Sequence, residues 1–293
     1  MCAILAETAK RRTGQDEAAF LASEADREAA ERVFMDRVGS VAEQVRAGVV
    51  GNVVPWGHVL APHARQEVDQ MLPAREALMA AIAEVIYPVL INVFVTQGNE
   101  AARRLLEDGD TRIFKQEGAP EEDVEYALGT FAVLHETADE VERFLAQAGG
   151  DIARSLSGEA AITDDMIDAL RQELVGAYRG PPVSLTDLQR RVRDTIDASL
   201  VRALRVARTE VGRATMEGKQ AAMARVDLPK EKRWITAGDG LARESHQAYE
   251  SQGWVEEGHT YGGVIQYPLQ NGAPAGEVVN CRCDLEWRRR KAA

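Results

Sequence analysis

The chain has 293 residues, 45% hydrophobic and 28% charged, enough apolar material for one large or two ordinary folded domains and too much for a mainly disordered chain. Its formal net charge of −12 argues against a protein whose task is to coat nucleic acid, and leaves Arg288 to Lys291 as a local basic run. Cysteine is confined to Cys2, Cys281 and Cys283, so a secreted disulfide framework is excluded and a reducing compartment is expected. The N-terminal residues Met1 to Glu7 lack the basic start and apolar length of a signal peptide. No run reaches the ~18 consecutive apolar residues of a spanning helix, so a soluble chain without a membrane segment is expected.

From Asp16 to Arg46, Phe20, Leu21, Val33, Phe34, Val38, Val41 and Val45 recur at helical intervals. Gly48, Gly51, Pro55 and Gly57 are expected to end this helix in a loop carrying Trp56, His58 and His63. A second helix starts near Pro73 and carries Leu78, Ile82, Val85 and Ile86. Pro88 should break or kink it before a buried helical continuation over Val89 to Val95, with Gly98-Asn99-Glu100 as a turn or kink. Another helix follows Pro120, with Val124, Leu128, Phe131, Leu134, Val141 and Phe144 on one stripe and His135 among them. Gly149-Gly150 marks a boundary. Thr163 is placed to cap a helix containing Met166, Leu170, Leu174 and Tyr178, which Gly180-Pro181-Pro182 stops. Ser184 to Asp187 reads as a capping box opening a helix that carries Leu188, Val192, Ile196, Leu200, Leu204 and Val211 to about Val226, bending near Gly212 or Gly218 if it is not a straight strut.

After Pro229 the helical periodicity stops, glycine becomes frequent, and Trp234, Trp254 and Trp287 appear. Lys232 to Thr236 is a predicted strand and Leu241 to Glu250 a short helix; Gly253 to Val255 and Val264 to Tyr267 are strand candidates. Cys281, Cys283, Leu285 and Trp287 alternate with Arg282, Asp284, Glu286 and Arg288, the period of a strand with one buried face. The predicted fold class is mainly α with a small C-terminal α+β domain: a helical body over 1–150, a helical strut over 151–228, and a compact mixed domain over 229–293.

His246, His259, Cys281 and Cys283 combine imidazole and thiolate donors, the set that suits a structural zinc, although Cys-x-Cys is less diagnostic than Cys-x-x-Cys. The alternative is a pair of half-buried thiols packed beside Trp287. A catalytic reading takes Cys281 as nucleophile, His246 as base and Asp239 or Asn280 as orienter; a metal-dependent hydrolase would use Asp239, Glu244 and His246. Arg208 and Glu210 stand two apart on a helix and should each reach a separate partner in the C-terminal unit. No phosphate-binding loop, dinucleotide fingerprint or nucleophile elbow is present.

The ordered series Arg208, Thr209, Glu210, Gly218, Trp234, Thr236, Asp239, Arg243, His246, Tyr267, Pro268, Asn280, Cys281, Arg282 and Cys283 resembles the C-terminal domain of phage head morphogenesis proteins, the Mu protein F-like minor head family, across about residues 200–287. The chain departs from the family pattern at Glu250 to Gly253, where an Asp-Gly turn is usual, and at Gly240-Leu241. The resemblance implies a minor head protein of a tailed phage or prophage, located in the virion near the portal and in host cytoplasm during assembly. Such a protein acts in procapsid assembly, DNA packaging or ejection. The implied partners are the portal protein, with major capsid or scaffolding protein, and packaged DNA through Arg288 to Lys291. It also implies no enzymatic activity and no required cofactor.

Overall fold

A computed structural model describes residues 14–107 and 158–290. The helix expected after Pro120, His135, the Gly149-Gly150 boundary, Cys2 and Lys291 lie outside the described residues. Helix α1 spans Gly14–Asn52, and a 3-10 turn at Ala61–His63 leads into α2, Ala64–Met71. Then come α3, Arg75–Glu107, α4, Gly158–Arg179, and α5, Leu185–Arg225. The C-terminal part holds β1, Lys230–Ile235, α6, Glu244–Ser251, β2, Val255–Glu256, α7, Ala275–Val278, and β3, Asp284–Arg289. The chain is therefore a mainly helical body with a small C-terminal mixed α/β sheet.

The described residues group into two compact units, one of 14–30, 90–107 and 208–290, the other of 31–89 and 158–207. The segments 1–150, 151–228 and 229–293 read from sequence are contiguous; the compact units are not, because α1, α3 and α5 each contribute one stretch to each unit. In the second unit, Phe34, Val38, Ile82, Ile86, Leu170, Leu174, Val192 and Ile196 form the core. Tyr178, also buried, donates its hydroxyl to the Val54 carbonyl at 2.8 Å.

Several expected breaks are absent, each for a physical reason. Helix α1 passes Gly48 and Gly51 because Val49 and Val53 continue its buried stripe, and this burial outweighs the low helix propensity of glycine. Pro88 sits inside α3, and Gly98 to Glu100 are helical too. There Glu100 binds Arg103 and Arg104, both at 2.7 Å, stapling the next turn. Thr163 is not a cap but a buried residue inside α4, which the helix-favouring Ala160 and Ala161 extend back to Gly158. Ser184 does cap α5: its Oγ accepts from the Asp187 amide at 3.1 Å and donates to the Asp187 carboxylate at 2.8 Å. Residues 61–105 are long and apolar enough by composition to cross a membrane. Within them Leu78, Ile82, Ile86, Leu90, Val93 and Phe94 of α3 are buried, while 39% of the most apolar 18-residue window as a whole is buried.

The two glycines of α5 serve close approach. A Cβ on Gly218 would lie 2.1 Å from the Phe94 carbonyl oxygen of α3, and one on Gly212 would meet the Leu269 side chain at 2.5 Å. The sheet has the order β2-β1-β3, all antiparallel, with Trp234 opposite Leu285 and Lys232 opposite Trp287. Arg233 pairs with Glu286 at 2.5 Å and Arg288 with Glu231 at 2.7 Å across the strands, and both guanidinium groups lie over the Trp254 ring. The expected strand over Val264 to Tyr267 is instead a tight turn. Tyr261 and Ile265 make an isolated bridge around Gly262 and Gly263, whose φ values of 58° and 68° suit glycine.

Candidate metal centre

Helix α6 and the segment entering β3 create the one ligand cluster found among the described residues. His246 lies on the inner face of α6, which packs against β1, and is 1% exposed. Cys281 and Cys283 precede β3 and are 2% and 3% exposed. The alternation predicted from Cys281 to Trp287 therefore correctly places the thiols inside, ahead of the strand proper. The Cys281 and Cys283 sulfurs lie 3.6 and 3.3 Å from His246 Nδ1, and the three ligand atoms all lie within 4.8 Å of one another. This cluster is geometrically able to chelate a metal ion.

The other imidazole nitrogen is also committed. His246 Nε2 is 2.9 Å from Glu277 Oε2, and the Ser245 hydroxyl donates to the same carboxylate at 3.2 Å. His246 thus presents Nε2 to Glu277 and Nδ1 to the two sulfurs, the placement of a metal ligand oriented by an outer carboxylate. Around the ring, Trp234 lies 4.9 Å from His246 by centroids, with Tyr249 and Tyr261 at 5.1 and 5.2 Å from Trp234. The hydrogen bond to Cys281, and then burial, push the Cys283 thiol well above the ordinary range, with the Trp234 indole opposing only in part. The Cys283 hydrogen bond pulls the Cys281 thiol well below the ordinary range, against desolvation and with help from His246. One sulfur is thus prepared as an anion.

These observations correct several sequence expectations. His259 does not join the cluster: its Nε2 is 2.8 Å from Gln252 Oε1, and its ring stands edge-on to Tyr261. Asp239 is not an orienter of His246, since it forms an ion pair with Arg282 and accepts the Leu241 amide at 3.0 Å. Asn280, at φ 58°, instead takes Arg208 Nη1 on Oδ1 at 2.9 Å and donates its amide to Thr209 Oγ1 at 3.0 Å. Glu244 is exposed on α6 and outside the cluster. The orienting residue is Glu277 on α7, which no periodicity or spacing in the sequence marks. The expectation of a chain without enzymatic or cofactor chemistry is also corrected. A buried imidazole and two thiols on one point, with a carboxylate behind, are consistent with a catalytic or cofactor-binding site.

The remaining motif residues secure the surroundings. Thr236 gives its amide and hydroxyl to Glu250 at 3.0 and 2.7 Å, and Arg243 donates to the Val279 carbonyl at 2.6 Å. Glu210 pairs with Arg213 at 3.1 Å on its own helix. The Tyr267 hydroxyl donates to Glu217 at 3.0 Å, while Pro268 is buried beside it in sequence. Of the basic run, Arg288 is paired with Glu231 as above and Arg290 with Glu256 at 3.3 Å. No family model, curated protein or solved structure matches the chain.

Proposed function

We propose that His246, Cys281 and Cys283 hold a zinc ion and that the chain uses this centre as a metal- or thiol-dependent hydrolase. The observation that carries the reading is the two-sided engagement of His246, with Nδ1 toward both sulfurs and Nε2 on Glu277. Mixed thiolate and imidazole donors select zinc among common divalent ions, and three protein ligands leave a coordination position for a reacting group. Zinc in that position supplies Lewis acidity toward a carbonyl or phosphoryl oxygen. Glu277 fixes the imidazole tautomer, and the Trp234, Tyr249 and Tyr261 rings keep the surroundings dry. Elemental analysis of the purified protein should find about one zinc per chain, with a lower melting temperature after chelation. Absence of metal together with an unchanged melt would remove the metal form of the reading, and absence of Cys281-dependent turnover the thiol form.

A second reading concerns where the centre works. The residues that carry the resemblance to the Mu protein F-like family interlock: Arg208 and Thr209 on Asn280, Asp239 on Arg282, and His246 with both cysteines. This mutual bonding supports the motif series as one folded module. On that basis we propose a minor head protein of a tailed phage or prophage, bound to the portal inside the procapsid and acting in head assembly, packaging or genome delivery. Co-expressed with its cognate portal, the chain should elute in the portal fractions on size exclusion. Separate elution at every mixing ratio would sink this assignment.

A further inference from the structure

The cysteine limb of the centre rests on a charged group from the first described helix. Arg27 of α1 is 5% exposed, and its Nη1 donates to the carbonyl of Cys283 at 3.3 Å. Gly212 of α5 makes room for it: a Cβ there would stand 3.1 Å from Arg27 Nη2. Beside them, Lys219 Nζ binds both oxygens of Asp284 at 2.7 and 2.9 Å, with side chains only 9% and 6% exposed.

Charge neutrality in a buried site gives these groups a common purpose, because an uncompensated charge in low dielectric is costly. A divalent ion with two thiolates and a neutral imidazole carries no net charge. Glu277 adds one negative charge, and Lys219 with Asp284 adds none. Arg27, bonded to the Cys283 carbonyl, supplies the balancing positive charge.

We infer that Arg27 is a positioning residue for the metal centre, fixing the Cys283 backbone and offsetting the negative charge that Glu277 adds to the otherwise neutral site. This inference rests on the metal-centre reading above. Metal affinity is then set partly by a residue remote in sequence from every ligand.

The test is zinc and cobalt affinity of the full chain, by competition with a chromophoric chelator, for wild type, Arg27→Met and Arg27→Lys. The metal-free melting temperature of each variant is recorded alongside. Loss of an outer partner of a metal ligand weakens binding about 10–100-fold, so Arg27→Met should lose about tenfold or more. Arg27→Lys, which keeps the charge, should stay within about threefold and retain the sulfur-to-cobalt charge-transfer absorption. A wild-type chain that binds neither metal defeats the metal-centre reading itself. Wild-type binding with an equal affinity in Arg27→Met overturns the role of Arg27 and leaves the centre standing. Should Arg27→Met fail to fold, Arg27→Gln, which removes the charge but keeps polar atoms, decides alone: a loss of about tenfold or more supports the role, and a smaller change overturns it.

Discussion

His246→Ala is expected to lower the unfolding free energy by about 3 kcal/mol or more and to abolish metal binding. The ring is 1% exposed and stacked among Trp234 and Tyr249, with centroids at 4.9 and 5.8 Å, so its removal leaves a void that rigid aromatic neighbours fill poorly. Glu277 would lose the partner that now lies 2.9 Å away, and the two thiols would lose the imidazole between them. Both effects act in the same direction, one through packing and one through an unsatisfied polar group. Urea denaturation of the metal-free protein isolates the packing part, and the same curve with zinc adds the ligand part. A loss below about 1 kcal/mol with metal still bound would show that the buried geometry of His246 is not what holds this domain.

Gly218→Ala should destabilise the chain by about 3 kcal/mol or more, at the upper end of overpacking substitutions. The new Cβ would stand 2.1, 2.8 and 3.0 Å from the oxygen, carbon and Cα of Phe94, all backbone atoms of α3 with no rotamer through which to withdraw. The two helices must separate, and Phe94, 2% exposed, would lose its contacts as they do. Gly212→Ala should be milder, because there the nearest atom ends the flexible Leu269 side chain. Gly48→Ala provides a control of opposite sign: it is an exposed glycine inside α1 with nothing within 4 Å, so it should stabilise by about 0.5–1 kcal/mol. Equal midpoints for Gly218→Ala and Gly48→Ala in urea would refute the close approach of α3 and α5.

The sequence by itself determined the helices, the change of character after Pro229 and the buried side of the last strand. Each follows from local periodicity: the stripe through Val38, Val41 and Val45, the Ser184 cap, and the alternation that hides Cys281, Cys283, Leu285 and Trp287. The four residues proposed for a metal, His246, His259, Cys281 and Cys283, show where local reading stops. Spacing cannot tell a ligand from a histidine held by Gln252, because only the three-dimensional path of the chain decides which imidazole meets the thiols.

Tertiary structure alone decided the rest. Gly48 and Gly51 look like stops, yet their helix continues because burial of neighbouring side chains is worth more than the local propensity they cost, and the helix expected to continue beyond Pro88 does so. Gly212 and Gly218 look like bends and are instead the places where another segment comes within contact distance. Glu277 and Arg27 carry no sequence signal at all, lying 31 residues from His246 and 256 residues from Cys283. They matter because a buried imidazole needs its second nitrogen satisfied and the carboxylate that satisfies it needs a counter-charge, and a folded chain meets both needs through space.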